Sequence, residues 1–139
     1  MTESELISFP SAHDFSTTLD RLSAAITARN ITIFARIDHA AGALSVGLTL
    51  RPTTVLIFGN PKAGTALMQL AQTTGIDLPL KMLVWEDGAG KVQISYVEPA
   101  VIAARHHVQD LAAGNVPLLS AVLAALAGEA AGRSKELSP

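Results

Sequence analysis

Thr54-Val-Leu-Ile-Phe-Gly-Asn-Pro-Lys-Ala-Gly-Thr-Ala-Leu-Met-Gln-Leu70 decides the fold, because it predicts one strand, one tight turn and one helix in direct succession. Val55-Leu56-Ile57-Phe58 is a continuous apolar run with β-branched and aromatic members, the pattern of a strand buried on both faces. Gly59, lacking a Cβ, allows a sharp turn. Asn60 suits the N-cap, and Pro61 suits the first helical position, where its missing N–H would have had no partner. Ala63, Leu67, Leu70 and Ala71 then fall on one helical stripe. The helix is expected to end near Thr74, with Gly75 as its left-handed cap.

The same residues come close to a phosphate loop. Gly59 and Gly64 have the spacing, but Thr65 stands where the lysine belongs and Lys62 lies inside the loop. No lysine is placed to reach terminal phosphates, which excludes a nucleoside triphosphate site of that kind. What remains is a helix start with free N–H groups and a cation one residue in, an arrangement that attracts anions. Asn60, Lys62, Ala63 and Thr65 are therefore candidate ligand-binding residues; the alternative is a plain turn and cap.

Further likeness lies along the chain, in Arg51-Pro-Thr-Thr54, Phe58-Gly-Asn-Pro-Lys-Ala-Gly-Thr65, Leu67-Met68, Leu78-Pro-Leu80, Gly90-Lys91 and Ser95-Tyr96. From about Leu6 to Leu126 the sequence resembles the bacterial family called domain of unknown function 302. That resemblance implies an α+β fold of topology β-α-β(4)-α, with an antiparallel sheet packed against helices. Such a fold is similar to the TATA-binding-protein and helix-grip architectures, and it implies a dimer. It implies no activity, since fold alone does not carry function.

With 139 residues, the chain has the length of one domain with a real core, expected over residues 1–131 and followed by a disordered tail, 132–139. Apolar residues make up 49% and charged residues only 16%, so part of the apolar surface is expected to be covered by another subunit. A net charge of −2 argues against a nucleic-acid groove. The absence of cysteine excludes disulfides, thiol catalysis and zinc–thiolate sites. Met1-Thr-Glu-Ser-Glu5 has no basic stretch leading into an apolar core, so the expected location is the cytoplasm, with no membrane association.

In chain order, Leu6–Phe9 reads as a strand ended by Pro10. A helix capped by Asp14 or Ser16 follows, with Phe15, Leu19, Leu22 and Ile26 along one side and Arg21 and Arg29 off it. Asn30 is the expected left-handed cap. Ile31–Ile37 alternates, placing Ile31, Ile33, Ala35 and Ile37 on one face and Thr32, Phe34 and Arg36 on the other. Asp38-His39 then opens a short helix. As a functional pair it would be an imidazole with an acidic neighbour; as local structure it is an N-cap and a first-turn residue. The family resemblance extends to this pair.

Leu80–Glu86 and Lys91–Val97 read as a hairpin joined by Asp87-Gly-Ala-Gly90. A four-residue loop pairs Glu86 with Lys91, Trp85 with Val92 and Leu83 with Ile94. Leu83, Trp85, Val92, Ile94 and Tyr96 then share one face, and a one-residue slip would reverse the assignment. Trp85 and Tyr96 are candidates for a pocket lining, with core packing as the alternative. Glu98-Pro99 opens a helix expected from Ala100 to Ala113, on which His106 and His107 are expected to be solvated. Val116–Ala127 is apolar on nearly every side and too short to span a bilayer.

Three functional classes follow. The preferred one is a homodimeric protein that binds a small anionic ligand at the helix start, the dimer forming through Val116–Ala127, a sheet edge or both. The second is an enzyme using His39 with Asp38, Lys62 or Glu86 in acid–base or metal-assisted chemistry, Asp38, His39 and Glu86 being its catalytic candidates. The third is a structural or interaction module. No metal site is assigned, and no cofactor follows from any motif.

Overall fold

Five strands, β1 (Leu6–Pro10), β2 (Thr32–Asp38), β3 (Thr53–Gly59), β4 (Leu80–Glu86) and β5 (Val92–Val97), form one antiparallel sheet in the order β1-β5-β4-β3-β2. A computed structural model describes residues 5–110 and 114–132. Helices α1 (Phe15–Ala28) and α5 (Val116–Ala131) cover one face of the sheet. Short helices α2 (His39–Ser45), α3 (Pro61–Leu70) and α4 (Pro99–Arg105) lie between. The expected α+β class and strand–helix succession hold, with α2 and α3 set into the run of four strands. The tail expected from Gly132 lies outside the described residues beyond Gly132 itself.

The core is the seam between that sheet face and the two helices. Leu22 and Ile26 of α1 and Leu126 of α5 meet Leu56, Phe58, Met82, Val84 and Ile94, all of them fully buried. Ala127, Ala130 and Ala131 are small enough to bring α5 close to its neighbours. Arg21 ties the helices together by donating from Nε to the Ala130 carbonyl at 3.2 Å and from Nη2 to that of Glu129 at 2.7 Å. Both carbonyls belong to the last turn of α5, where a cation is favoured.

With α1 and α5 on one side of the sheet, β3 is not buried on both faces as its apolar run predicts. Thr54, Leu56 and Phe58 are buried, while Val55 and Ile57 are half-buried on the open face. The hairpin register is also slipped by one residue from the expectation. Glu86 pairs with Val92, Trp85 with Gln93, Val84 with Ile94 and Leu83 with Ser95. The cause is Asp87, whose N–H donates to the Lys91 carbonyl and whose Oδ1 accepts from the N–H groups of Ala89 and Lys91. Gly90, at φ 81°, completes the three-residue turn with a left-handed residue. Met82 and Val84 therefore face the core with Val92, Ile94 and Tyr96, and Leu83 and Trp85 face outward.

In β2 the register shifts between Ile33 and Ala35, because Phe34 is an extra, unpaired residue. This bulge splits the expected alternation: Ile31 and Ile33 pack on the core, whereas Ala35 and Ile37 pair with Ile57 and Val55 on the open face.

Two helices end earlier than their sequence pattern suggests. Past Leu70, Ala71 is extended and the chain resumes as a 3₁₀ helix, Gln72–Ile76. The Thr74 hydroxyl donates to the Ala71 carbonyl, a local bond that competes with helix continuation. Gly75 is not left-handed; it admits the Met68 sulfur, which would lie 3.2 Å from a Cβ. Helix α4 stops at Arg105 rather than Ala113. His107 is left-handed at φ 59°, and the Val108 and His107 N–H groups return to the Ala103 and Ala104 carbonyls, the Schellman pattern. Asn30, at φ 59°, closes α1 in the same way, as expected.

Candidate functional site

The turn after β3 forms as the sequence predicts. The Asn60 side chain accepts the Lys62 N–H at 2.9 Å and its carbonyl accepts the Gly64 N–H at 3.1 Å. Pro61 has no N–H, so only Ala63 in this first turn keeps one to offer. The anion-binding capacity expected of the helix start is mostly consumed by its own cap.

A cavity of about 550 Å³ opens beside this turn. Its walls come from the end of α1, the joined ends of β2 and β3, α3, the Leu78–Leu80 connection and the first half of α5. The surface is overwhelmingly apolar, with Phe34, Phe58, Leu67, Met68, Leu78 and Leu119 among its residues. The bulge in β2 sets the Phe34 ring there, half exposed at the cavity wall. A Cβ at Gly59 would lie 3.8 Å from the ring, in ordinary contact. Polar groups are few, namely Arg29, Asn60 and Thr65.

Of the residues singled out for ligand binding, Asn60, Ala63 and Thr65 line this cavity. Lys62, Trp85 and Tyr96 do not. Lys62 is an exposed residue one position past the proline, off the cavity wall. Trp85 lies on the open sheet face, where its indole N–H donates to Ser95 Oγ at 2.9 Å, and Ser95 Oγ in turn bonds Ser8 Oγ at 2.6 Å. Tyr96 is a core residue stacked on Phe9 with ring centroids 6.4 Å apart. Burial, with the Glu98 charge adding to it, holds its phenol above the ordinary range.

The catalytic candidates do not gather around Lys62. Asp38 caps α2 by accepting the Ala41 N–H at 2.9 Å, and His39 is exposed. Asp38 pairs with Thr54 at the start of β3, and Glu86 lies at that same end of the sheet. Lys62 follows the other end of β3. From Thr54 to Gly59 the strand advances about 16 Å at roughly 3.3 Å per residue, so Lys62 and Asp38–His39 cannot act on one atom. None of Asp38, His39 and Glu86 lines the cavity. Among the described residues no three His, Asp or Glu side chains gather as a metal site would require.

Two side chains took on roles that the sequence patterns do not signal. His106 is not solvated: its Nε2 lies 2.6 Å from Asp77 Oδ2 and its Nδ1 2.9 Å from Thr73 Oγ1, with the side chain 8% exposed. Arg105 adds a 2.6 Å bond to Asp77. This cluster clamps α4 to the 3₁₀ turn behind the cavity wall.

Arg29 is the other. Among the described residues it is the only charged one on the wall, and its guanidinium is held end-on by the Glu129 carboxylate, with one further bond from Nη1 to the Ala25 carbonyl at 3.4 Å. The hydrogen bond from Arg29 keeps the Glu129 carboxyl below its ordinary range and lifts Arg29 in return.

Comparison with known proteins bears on both fold and family. A crystal structure of an uncharacterized conserved DUF302 protein from Bacillus stearothermophilus superposes with a TM-score of 0.78 at 17% identity, over 90% of this chain and 97% of that one. At that identity the likeness is one of fold. The chain is also 45% identical over 104 residues to "Fluoride-specific ion channel FluC 1" of Brucella suis biovar 1 (strain 1330). The same identity and span hold for "Fluoride-specific ion channel FluC 2" of Brucella melitensis biotype 1 (strain ATCC 23456 / CCUG 17765 / NCTC 10094 / 16M). These matches take in 75% of this chain but 41% and 38% of those proteins, so the chain spans about two-fifths of the length of the curated relatives. No helix of the described residues is long and apolar enough to cross a membrane. The model of the domain of unknown function DUF302 matches residues 7–126, and with the sheet order and helix placement above, the chain belongs to that family.

Proposed function

We propose that the protein binds a small, largely apolar ligand in the cavity between α3, α5 and the ends of β2 and β3, a cavity that Asn60, Ala63 and Thr65 help to line. One observation carries this reading: a cavity of about 550 Å³ whose walls are apolar apart from a few polar groups. Small-molecule sites have this size, roughly 300–1,000 Å³, and this balance of lining. The proposal moves the ligand away from Lys62, because a cation outside the wall cannot hold a group seated within it.

A thermal-shift comparison of decanol and decanoate tests the reading. Ligand at about 100 times its Kd should add roughly 2.7 kcal/mol to stability. Lys62→Ala should respond as the wild type does. Absence of any shift with both compounds would remove the proposal.

A homodimer belongs to the same proposal. Phe34 and Leu118 are 52% and 66% exposed where they line the cavity, and among the described residues β2 is an edge of the sheet. A second copy laid over them would cover apolar surface and further enclose the ligand. Sedimentation of the same samples as a monomer would remove this part.

A second reading draws on the curated relatives. Their names mention a fluoride-specific ion channel, and the identity with this chain is 45% over 104 residues. In this reading the domain serves beside fluoride handling. Potassium fluoride, against potassium chloride, forms one arm of the screen; equal responses to the two salts would count against it.

A further inference from the structure

We propose that the ligand is a single-headed carboxylate amphiphile whose carboxylate takes the place of Glu129 on Arg29. This deepens the cavity reading and rests on it. Among the described residues the wall holds one charged side chain, Arg29, and it is positive. A ligand with an alkyl body and one anionic head matches it, whereas a dianion brings a second charge for which the described residues of the wall offer no partner.

Glu129 shows how the head is held. Its two carboxylate oxygens accept from Nη1 and Nη2 of Arg29, the two-point geometry by which a guanidinium receives any carboxylate. Glu129 itself is not part of the cavity wall; it reaches Arg29 from the last turn of α5. The pair is partly open to water, with the side chains 32% and 49% exposed, so one carboxylate can exchange for another without stranding a charge in the interior. The Ala25 carbonyl, accepting from Nη1, steadies the guanidinium throughout the exchange. Glu129 is then a built-in competitor that holds Arg29 in place while the cavity is empty.

The test is calorimetric titration of decanoate and decanol into the wild type, Glu129→Gln, Arg29→Met and Arg29→Lys. Removing the competitor in Glu129→Gln should tighten decanoate about tenfold and leave decanol within about twofold. Arg29→Met should abolish the preference for decanoate over decanol. Arg29→Lys should restore part of that preference, which a merely structural role for Arg29 would not do. Unchanged decanoate affinity in both Glu129→Gln and Arg29→Met, with decanol still binding, would overturn the exchange and leave the cavity reading intact. Loss of both compounds from the wild type would overturn the cavity reading itself.

Discussion

Gly64→Leu should abolish ligand binding while leaving the protein at least as stable as the wild type. Gly64 sits within α3 with a helical backbone rather than a left-handed one, so a side chain there is not strained. Replacing a helix-interior glycine is worth about 1 kcal/mol in propensity. A Cβ would lie 3.9 Å from Leu78 Cδ1 and 4.0 Å from Met68 Cε, in ordinary contact with two residues of the cavity wall. The rest of the leucine must therefore enter the cavity. It fills empty space, and so avoids the strain of overpacking a dense core. The expected result is a melting temperature unchanged or raised by about 2–4 °C, with binding of decanol and decanoate lost by calorimetry. Retained binding at wild-type affinity would mean that the ligand sits elsewhere.

Phe58→Ala should be the most damaging single truncation near the site. Phe58 is 1% exposed, pairs with Ile33 on one side and Leu80 on the other, and forms both core and cavity wall. Deleting a buried phenylalanine ring costs about 3–5 kcal/mol. Against a total of about 5–15 kcal/mol for a typical domain, that is a large fraction. Ile57→Ala, on the half-buried open face, should cost about 1 kcal/mol. Urea denaturation of the two variants checks the difference; equal losses would contradict a sheet covered on one face only.

The local parts of the fold were legible because their causes are local. The run from Val55 to Phe58, the Asn60 cap and Pro61 carry their own hydrogen bonds and dihedral preferences, and they form as written. Asn30 at the end of α1 is the same kind of case. The hairpin register depended on Asp87 taking two backbone N–H groups and Gly90 turning left-handed, which the loop length alone does not specify. At Phe34 the bulge follows from the pairing of β2 with β3, not from any residue within β2. His107 as a left-handed cap defied expectation because non-glycine residues seldom adopt positive φ.

The candidate site divides in the same way. Asn60, Ala63 and Thr65 stand at the cavity wall because the helix start that carries them is written in the sequence. Arg29 was missed because its partner Glu129 lies 100 residues away, and because its place on the wall depends on α5 packing over the sheet. Trp85 was misplaced by the register, since the slip turns it outward, while Tyr96 lies in the core with Val92 and Ile94, the alternative given for it. Nothing in the motif for His106 indicated that Asp77 and Thr73 would close on it.

Where the ligand sits is the claim that everything functional depends on, and methyl-labelled leucine spectra read it directly. On titration with decanoate, the methyl signals of Leu67, Leu78, Leu118 and Leu119, all on the cavity wall, should move together and saturate. Those of Leu22 and Leu126, fully buried in the main core, should stay fixed. Shifts confined to Leu44, Leu48 and Leu50, which are exposed and away from the wall, would contradict a ligand in the cavity.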